Sequence, residues 1–275
     1  RDCLLSRGLG DVYKRQIGAQ TVFKNEEVEV SLLKEKTWVF STWDYTTMYL
    51  IEGEDKAVLI DTGTRCADLD KIVGQITGKP LEVIVTHMHP DHAGCIKYFD
   101  KVWMHRADTV LVPQHAADYQ GEFLYMEEGQ VFDLGGRKLE VAWMPGHTPG
   151  SVVLLDKANG DCYSGDAFGS GEVWLQCVPM SPIATFHESC CRMEKLMKEG
   201  HIKDIWCGHY PYLKSSLPLA YIQTMIRISH RLMNGDQEGS EPYSNYFIKM
   251  PPTARKLAEG RAMIVYDSTN IPEAR

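Results

Sequence analysis

Apolar and polar residues alternate with a period near two in the early part of the chain. Four such runs, 28–33 (VEVSLL), 37–42 (TWVFST), 47–53 (TMYLIEG) and 56–63 (KAVLIDTG), are separated by Gly, Asp and Glu, and each predicts a β-strand. The period then lengthens: Leu69, Ile72, Val73 and Ile76 fall on one face of a helix over 67–76. A Val/Ile-rich strand at 81–86 (LEVIVT) and a short helix at 92–99 follow. Strands are predicted at 138–144 and 151–156, on either side of Pro-Gly, and again at 202–208 and 261–267. Helical spacing marks 186–200 and 217–233, and 234–245 reads as a polar loop. Strand runs, then strands alternating with helices, then a strand run again make an α/β protein of layered sheet and helix, with the topology left open.

Composition narrows the functional classes. With 275 residues, 44% hydrophobic and 24% charged, the chain can bury a large core without disulfide or metal staples. No apolar run approaches the ~20 residues of a membrane span, so no membrane partner is expected. The first residues stand apart. Ser6 to Gln16 read SRGLGDVYKRQ, the letters obtained by translating a transposon-end adapter used to prepare sequencing libraries. Residues 1–16 are therefore read as a disordered artefact joined to a truncated reading frame, and 17–275 as a single domain. On this reading any signal peptide belongs to a native start that is missing.

Residues 1–16 carry a net +2, so the formal charge of −8 for the whole chain becomes −10 for the remainder. An acidic chain with no Lys/Arg-rich run repels phosphate backbones, which disfavours nucleic acid and favours a small-molecule substrate. The cysteines make no C-x-x-C pair and no disulfide framework, and free thiols in a reducing cytoplasm are expected.

The stretch VIVTHMHPDHAG (83–94) places His87, His89, Asp91 and His92 directly after an apolar run. Four unpaired polar groups beside a buried strand are costly unless something binds them. In an extended segment side chains at i and i+2 share a face, so His87, His89 and Asp91 are expected to point one way, and His92 to approach from another angle as the chain turns helical. Pro90 stiffens the turn and Gly94 allows close backbone approach. Such a loop serves two metal ions better than one. A dinuclear site wants about seven protein ligands with a position left open. Three more candidates end β-type runs, each after a glycine: His147 in MPGHTPGS, Asp166 in YSGDAFG and His209 in WCGHYP. His105, His115, His187, His201 and His230 have no partner at ligand spacing and are read as bystanders.

The segments T-H-x-H-x-D-H, G-H-T-P-G, G-D and G-H, in this order over residues 28–210, resemble the metallo-β-lactamase-fold hydrolase superfamily. The resemblance implies an αββα sandwich with metals in a cleft at one edge. It assigns His87, His89 and His147 to one ion, Asp91, His92 and His209 to the other, and makes Asp166 the bridge, with a hydroxide held between two Zn2+ ions. Fe or Mn also suit these donors. Asp61 in LIDTG, a turn residue by local sequence, matches an aspartate that supports the metal loop in the family. Asp91 is the catalytic candidate, ligating an ion and orienting the hydroxide.

An aspartate at 166 resembles the glyoxalase II, lactonase and phosphodiesterase branches; zinc β-lactamases usually carry Cys or Ser there. The Cys-Gly-Arg segment of glyoxalase II enzymes is absent after Gly165-Asp166, and Gly169 stands where many acyl-homoserine lactonases have Tyr. Thioesters, lactones and other small esters stay open. Tyr210, Tyr212 and Trp174 are candidate cleft residues, and the helix from 217 is expected to cover the cleft. The competing reading is a mononuclear iron persulfide dioxygenase on the same fold, with iron on His87, His147 and Asp166.

Overall fold

The structure, a computed structural model, describes residues 20–245 and 249–272; the adapter-like residues 1–16 lie outside them. The chain begins with β1 (Thr21–Lys24), β2 (Val28–Lys34), β3 (Thr37–Thr42), β4 (Thr47–Glu52) and β5 (Ala57–Ile60). Helix α1 (Leu69–Ile76), β6 (Leu81–Ile84), α2 (Pro90–Ala93), β7 (Lys101–His105), α3 (Val112–His115) and β8 (Glu122–Met126) follow. Strands β1 to β8 form one sheet in chain order, antiparallel through β5 and parallel from β5 to β8.

Next come β9 (Val131–Asp133), β10 (Lys138–Trp143), β11 (Val152–Asp156), β12 (Asp161–Gly165), β13 (Glu172–Trp174), α4 (Ile183–Lys198), β14 (Asp204–Cys207), α5 (Tyr210–Leu213) and α6 (Leu219–Met233). The chain ends in β15 (Glu241–Pro242), β16 (Ala254–Glu259) and β17 (Ala262–Asp267). The second sheet runs β14-β12-β11-β10-β9, and a small third sheet runs β13-β17-β16-β15.

Side-chain alternation explains the layering. In β4, Tyr49 and Ile51 join Val141, Val152, Leu154 and Tyr163 of the second sheet in a core between the sheets. Met48 and Leu50, on the opposite face of the same strand, pack with Leu69, Ile72 and Val73 of α1. In β11, Val153 and Leu155 face outward onto Phe186, Cys190 and Met193 of α4 and Ile222 and Met225 of α6. Helix, sheet, sheet and helix are thus stacked in the expected α/β sandwich. Strands covered on both faces read as continuous apolar runs, as β5 (AVLI) and β11 (VVLLD) do.

Three expectations change. The helix expected at 92–99 starts at Pro90, whose fixed φ suits a first helical position, and breaks after Ala93 before a 3-10 turn at Ile96–Tyr98. The polar loop at 234–245 contains β15. Helix α6 was expected over the cleft, but its buried residues Tyr221, Ile222, Met225, Ile228 and Leu232 belong to the outer core with α4 and β17. An amphipathic helix goes where its apolar face is buried, and here that face is taken by the second sheet's outer side. Among the described residues no helix is long and apolar enough to cross a membrane.

Candidate metal centre

The candidate ligands leave the ends of four strands at one edge of the sandwich. His87, His89, Asp91 and His92 follow β6, His147 follows β10, Asp166 follows β12 and His209 follows β14. The two sheets are tied together at this edge. Thr47 N donates to the Gly208 carbonyl at 2.7 Å and Tyr49 Oη to the Cys207 carbonyl at 2.7 Å, while within the second sheet Gly208 N donates to the Gly165 carbonyl at 2.8 Å.

The seven side chains meet in two groups, His87, His89 and His147 in one, Asp91, His92, Asp166 and His209 in the other, with the ligand atoms of each group within 4.8 Å of one another. In the second group His92 Nε2 lies 3.6 Å from Asp91 Oδ2 and 3.6 Å from Asp166 Oδ1, and His209 Nε2 lies 3.5 Å from Asp91 Oδ2 and 3.2 Å from Asp166 Oδ2. Two donors about 2.0–2.1 Å from one tetrahedral ion stand about 3.4 Å apart, so these separations suit a shared cation. In the first group His89 Nδ1 and His147 Nε2 are 2.9 Å apart, and His147 Nε2 is 3.9 Å from Asp166 Oδ2. Asp166 therefore adjoins both groups. Asp91 does not share the face of His87 and His89 as the i, i+2 argument expected. The chain is already helical there, and Asp91 enters the group of His92 instead.

Partners behind the rings turn the imidazoles inward. His147 Nδ1 donates to the Trp174 carbonyl at 2.7 Å, and His209 Nδ1 to the Tyr45 carbonyl at 3.2 Å. His92 Nδ1 donates to Asp61 Oδ2 at 2.7 Å. Thr86 Oγ1 donates to the same oxygen at 2.9 Å and so accepts from His87 Nδ1 at 3.1 Å. With Nδ1 committed in all four rings, Nε2 is the atom turned toward the centre. Asp61 also accepts from Thr86 N at 2.7 Å, so one carboxylate orients two candidate ligands. Its φ of 63° is left-handed, a conformation asparagine also tolerates. Asp61→Asn should keep the backbone but turn an amide donor toward one of these donors. A drop in metal affinity of roughly 10–100-fold is expected, read by competition with a chromophoric chelator. Unchanged affinity would remove the orienting role.

The donor set fits a cation. His87 Nε2, His92 Nε2 and Asp166 Oδ1 are buried without a hydrogen-bond partner, an arrangement rarely tolerated unless something binds there. Burial, reinforced by neighbouring imidazoles, holds His87 and His89 well below the usual histidine range, so both offer neutral lone pairs. For Asp166 burial alone would raise the carboxyl, but His209 and His92 outweigh it and hold the group ionised.

Close packing accounts for the glycine before each late ligand. A Cβ on Gly208 would stand 2.5 Å from both Asp166 Oδ1 and His92 Cε1, and one on Gly165, at φ 47°, would meet Thr86 Oγ1 at 2.1 Å.

Sequence reading missed two residues here. Asp108, 1% exposed, accepts from Met88 N at 3.0 Å, Thr148 Oγ1 at 2.9 Å and Gly150 N at 2.6 Å, and so joins the loop of His87 and His89 to the turn of His147. Nothing in RADTV distinguishes it from a surface aspartate. His115, read as a bystander, has its ring centroid 5.9 Å from that of His89.

The substrate-side candidates divide. Tyr212 is exposed, stacks on Tyr45 at 4.9 Å and lies 6.0 Å from His209. Tyr210 turns to Trp206 and the core between the sheets. Trp174 contributes its carbonyl to His147, while its indole donates to Glu172 Oε1 at 2.5 Å.

Histidine and aspartate side chains gathered at strand ends along one edge of two face-packed sheets define a candidate metal centre carried on an αββα sandwich. The family model of the metallo-beta-lactamase superfamily matches residues 41–187, and the chain belongs to that superfamily. An acyl-coenzyme A thioesterase of Homo sapiens, MBLAC2, is 25% identical over 210 residues, covering 62% of this chain and 75% of its own length. A hydroxyacylglutathione hydrolase of Francisella philomiragia is 24% identical over 191 residues, covering 68% of this chain and 73% of its own. Among solved structures, a metallo-beta-lactamase from Pontibacter korlensis shares the fold with a TM-score of 0.60 at 17% identity, over 74% of this chain and 99% of that one.

Proposed function

We propose that this metallo-hydrolase is binuclear and cleaves thioesters, within a wider class of lactones and other small esters. The observation that carries the binuclear reading is Asp166, whose carboxylate adjoins both ligand groups. A mononuclear iron oxygenase on His87, His147 and Asp166 would leave Asp91, His92 and His209 gathered around Asp166 with no role. The thioester reading rests on the two hydrolase relatives, whose names both specify acyl groups on thiol carriers.

Two divalent cations, Zn2+ first with Fe and Mn as alternatives, would supply a water of lowered pKa and Lewis-acid charge to the attacked carbonyl. His87, His89 and His147 hold one side, Asp91, His92 and His209 the other. Asp91 is the catalytic candidate: its carboxylate is 36% exposed, open to the cleft, and it accepts a hydrogen bond from the attacking water and sets its direction. Tyr45 and Tyr212, stacked beside His209, form an apolar wall for the acyl group. The cysteines among the described residues are all free thiols, and we assign the enzyme to the cytoplasm on that ground.

A panel of acyl thioesters, lactones, β-lactams and phosphodiesters, assayed before and after chelation, tests this. Thioesters should turn over fastest, and activity should vanish on chelation and return with Zn2+, Mn2+ or Fe2+. Turnover of phosphodiesters or β-lactams with none of thioesters would overturn the substrate class.

A further inference from the structure

The turn between β3 and β4, beside the metal centre, holds a residue that its backbone geometry disfavours. Tyr45 N donates to the Thr42 carbonyl at 3.0 Å and Thr42 N to the Thr46 carbonyl at 3.0 Å, so Trp43, Asp44 and Tyr45 make a three-residue hairpin loop. The last residue of such a loop is left-handed, a position that glycine usually fills. Tyr45 stands there at φ 68°. A tyrosine holds that conformation only at a cost in backbone energy.

The contact with His209 does not explain the choice, because a glycine would present the same carbonyl. What a glycine lacks is the ring. The Tyr45 ring stacks on that of Tyr212, with centroids 4.9 Å and planes 21° apart, and the Tyr212 ring lies 6.0 Å from that of His209. Tyr45 is 48% exposed and Tyr212 57%, so the stack does not serve to fill a core. Partial burial, then Tyr45, Glu172 and Asp44, raise the Tyr212 phenol, which places both carboxylates near it. Asp44 accepts from Thr42 Oγ1 and Thr46 N, and Glu172 from Trp174 Nε1 and Tyr243 Oη, none of them cationic. Such a rim repels an anionic acyl group.

We propose that the Tyr45–Tyr212 stack is a subsite for a flat, uncharged acyl group, which, resting on the thioester reading, makes arylacyl thioesters the preferred substrates. A planar ring extends an offset stack, whereas a saturated ring of the same size gains apolar contact alone. A quaternary ammonium also favours aromatic faces, but it is caged by rings on several sides, and these two are nearly parallel. Hydrolysis breaks the C–S bond and adds water across it, giving an aryl-bearing carboxylate and a free thiol with no change of oxidation state.

Phenylacetyl and cyclohexylacetyl thioesters of N-acetylcysteamine test the subsite, because their carbonyls match and their rings differ in flatness. The kcat/KM values should favour phenylacetyl by about 2–10-fold, and the preference should vanish in Tyr212→Leu. Tyr45→Gly keeps the carbonyl for His209 and suits the left-handed turn, so it should lose the preference with its metal content unchanged. Saturation-transfer NMR of phenylacetate against cyclohexylacetate reads the same subsite without turnover. A phenylacetate preference that Tyr212→Leu abolishes supports the subsite even where no thioester is hydrolysed, a result that would refute the thioester reading alone. Equal kcat/KM values with equal binding, a preference that survives in Tyr212→Leu, or faster turnover of a γ-butyrobetainyl thioester than of both would overturn the proposal and leave the hydrolase reading intact.

Discussion

Replacing Asp166 with alanine is expected to lower bound metal from about two ions per chain to one or fewer and to cut hydrolysis by more than about 100-fold. Changing a residue that merely supports a ligand typically costs 10–100-fold, and a carboxylate shared by both ions should cost more. In the second group Asp166 stands within 3.6 Å of His92 Nε2 and 3.2 Å of His209 Nε2. Its removal leaves five imidazoles around two cations with Asp91 as the remaining carboxylate of the ligand set. Asp166→Asn, similar in volume with one acceptor oxygen, should retain more metal than the alanine variant. Elemental analysis of the folded variants, with circular dichroism as the check on fold, separates lost ligation from lost structure. Two ions retained in Asp166→Ala would end the bridging role, whatever happened to the rate.

The meeting of these seven candidate side chains was legible in the sequence because their chemistry is local. Each follows an apolar run, and each of the three late ligands follows a glycine whose missing Cβ the packing requires, most plainly Gly208 against Asp166 and His92. The layers were legible for the same reason: strands buried on both faces are runs of apolar residues, unbroken in β5 and interrupted in β11 only by its last residue, Asp156. What could not be read depends on distant partners. β8 (EFLYM) is a half-exposed edge strand, and β16 (ARKLAE) carries little alternation, so neither signals itself by period. Grouping Asp91 with His92 depends on where the helix begins, a matter of one residue at Pro90. His115 reaches His89 only through the placement of α3, and Tyr210 and Tyr212, two positions apart, point to core and rim because α5 turns between them.

Asp108 is the strongest case of a site residue that only the folded chain reveals, and its removal should damage stability and metal binding together. Its three donors come from two loops: Met88 lies between the ligands His87 and His89, and Thr148 and Gly150 follow His147. Burial raises its carboxyl against the pull of those donors, so the group is held at a desolvation cost that the loop contacts must offset. Asp108→Ala leaves two backbone N–H groups without partners at about 1–3 kcal/mol each. For a domain of this size that is a fall in Tm on the order of 10 °C. Released from each other, the two loops should let His147 drift from His87 and His89, whereas Asp91, His92 and His209, held by Asp61 and the Gly208 turn, keep their places. Metal content should therefore fall toward one ion per chain while the variant still folds at low temperature. Asp108→Asn keeps an acceptor for part of the set and should lie between. A Tm and a metal content both unchanged in Asp108→Ala would show that the two loops hold their ligands without this clamp.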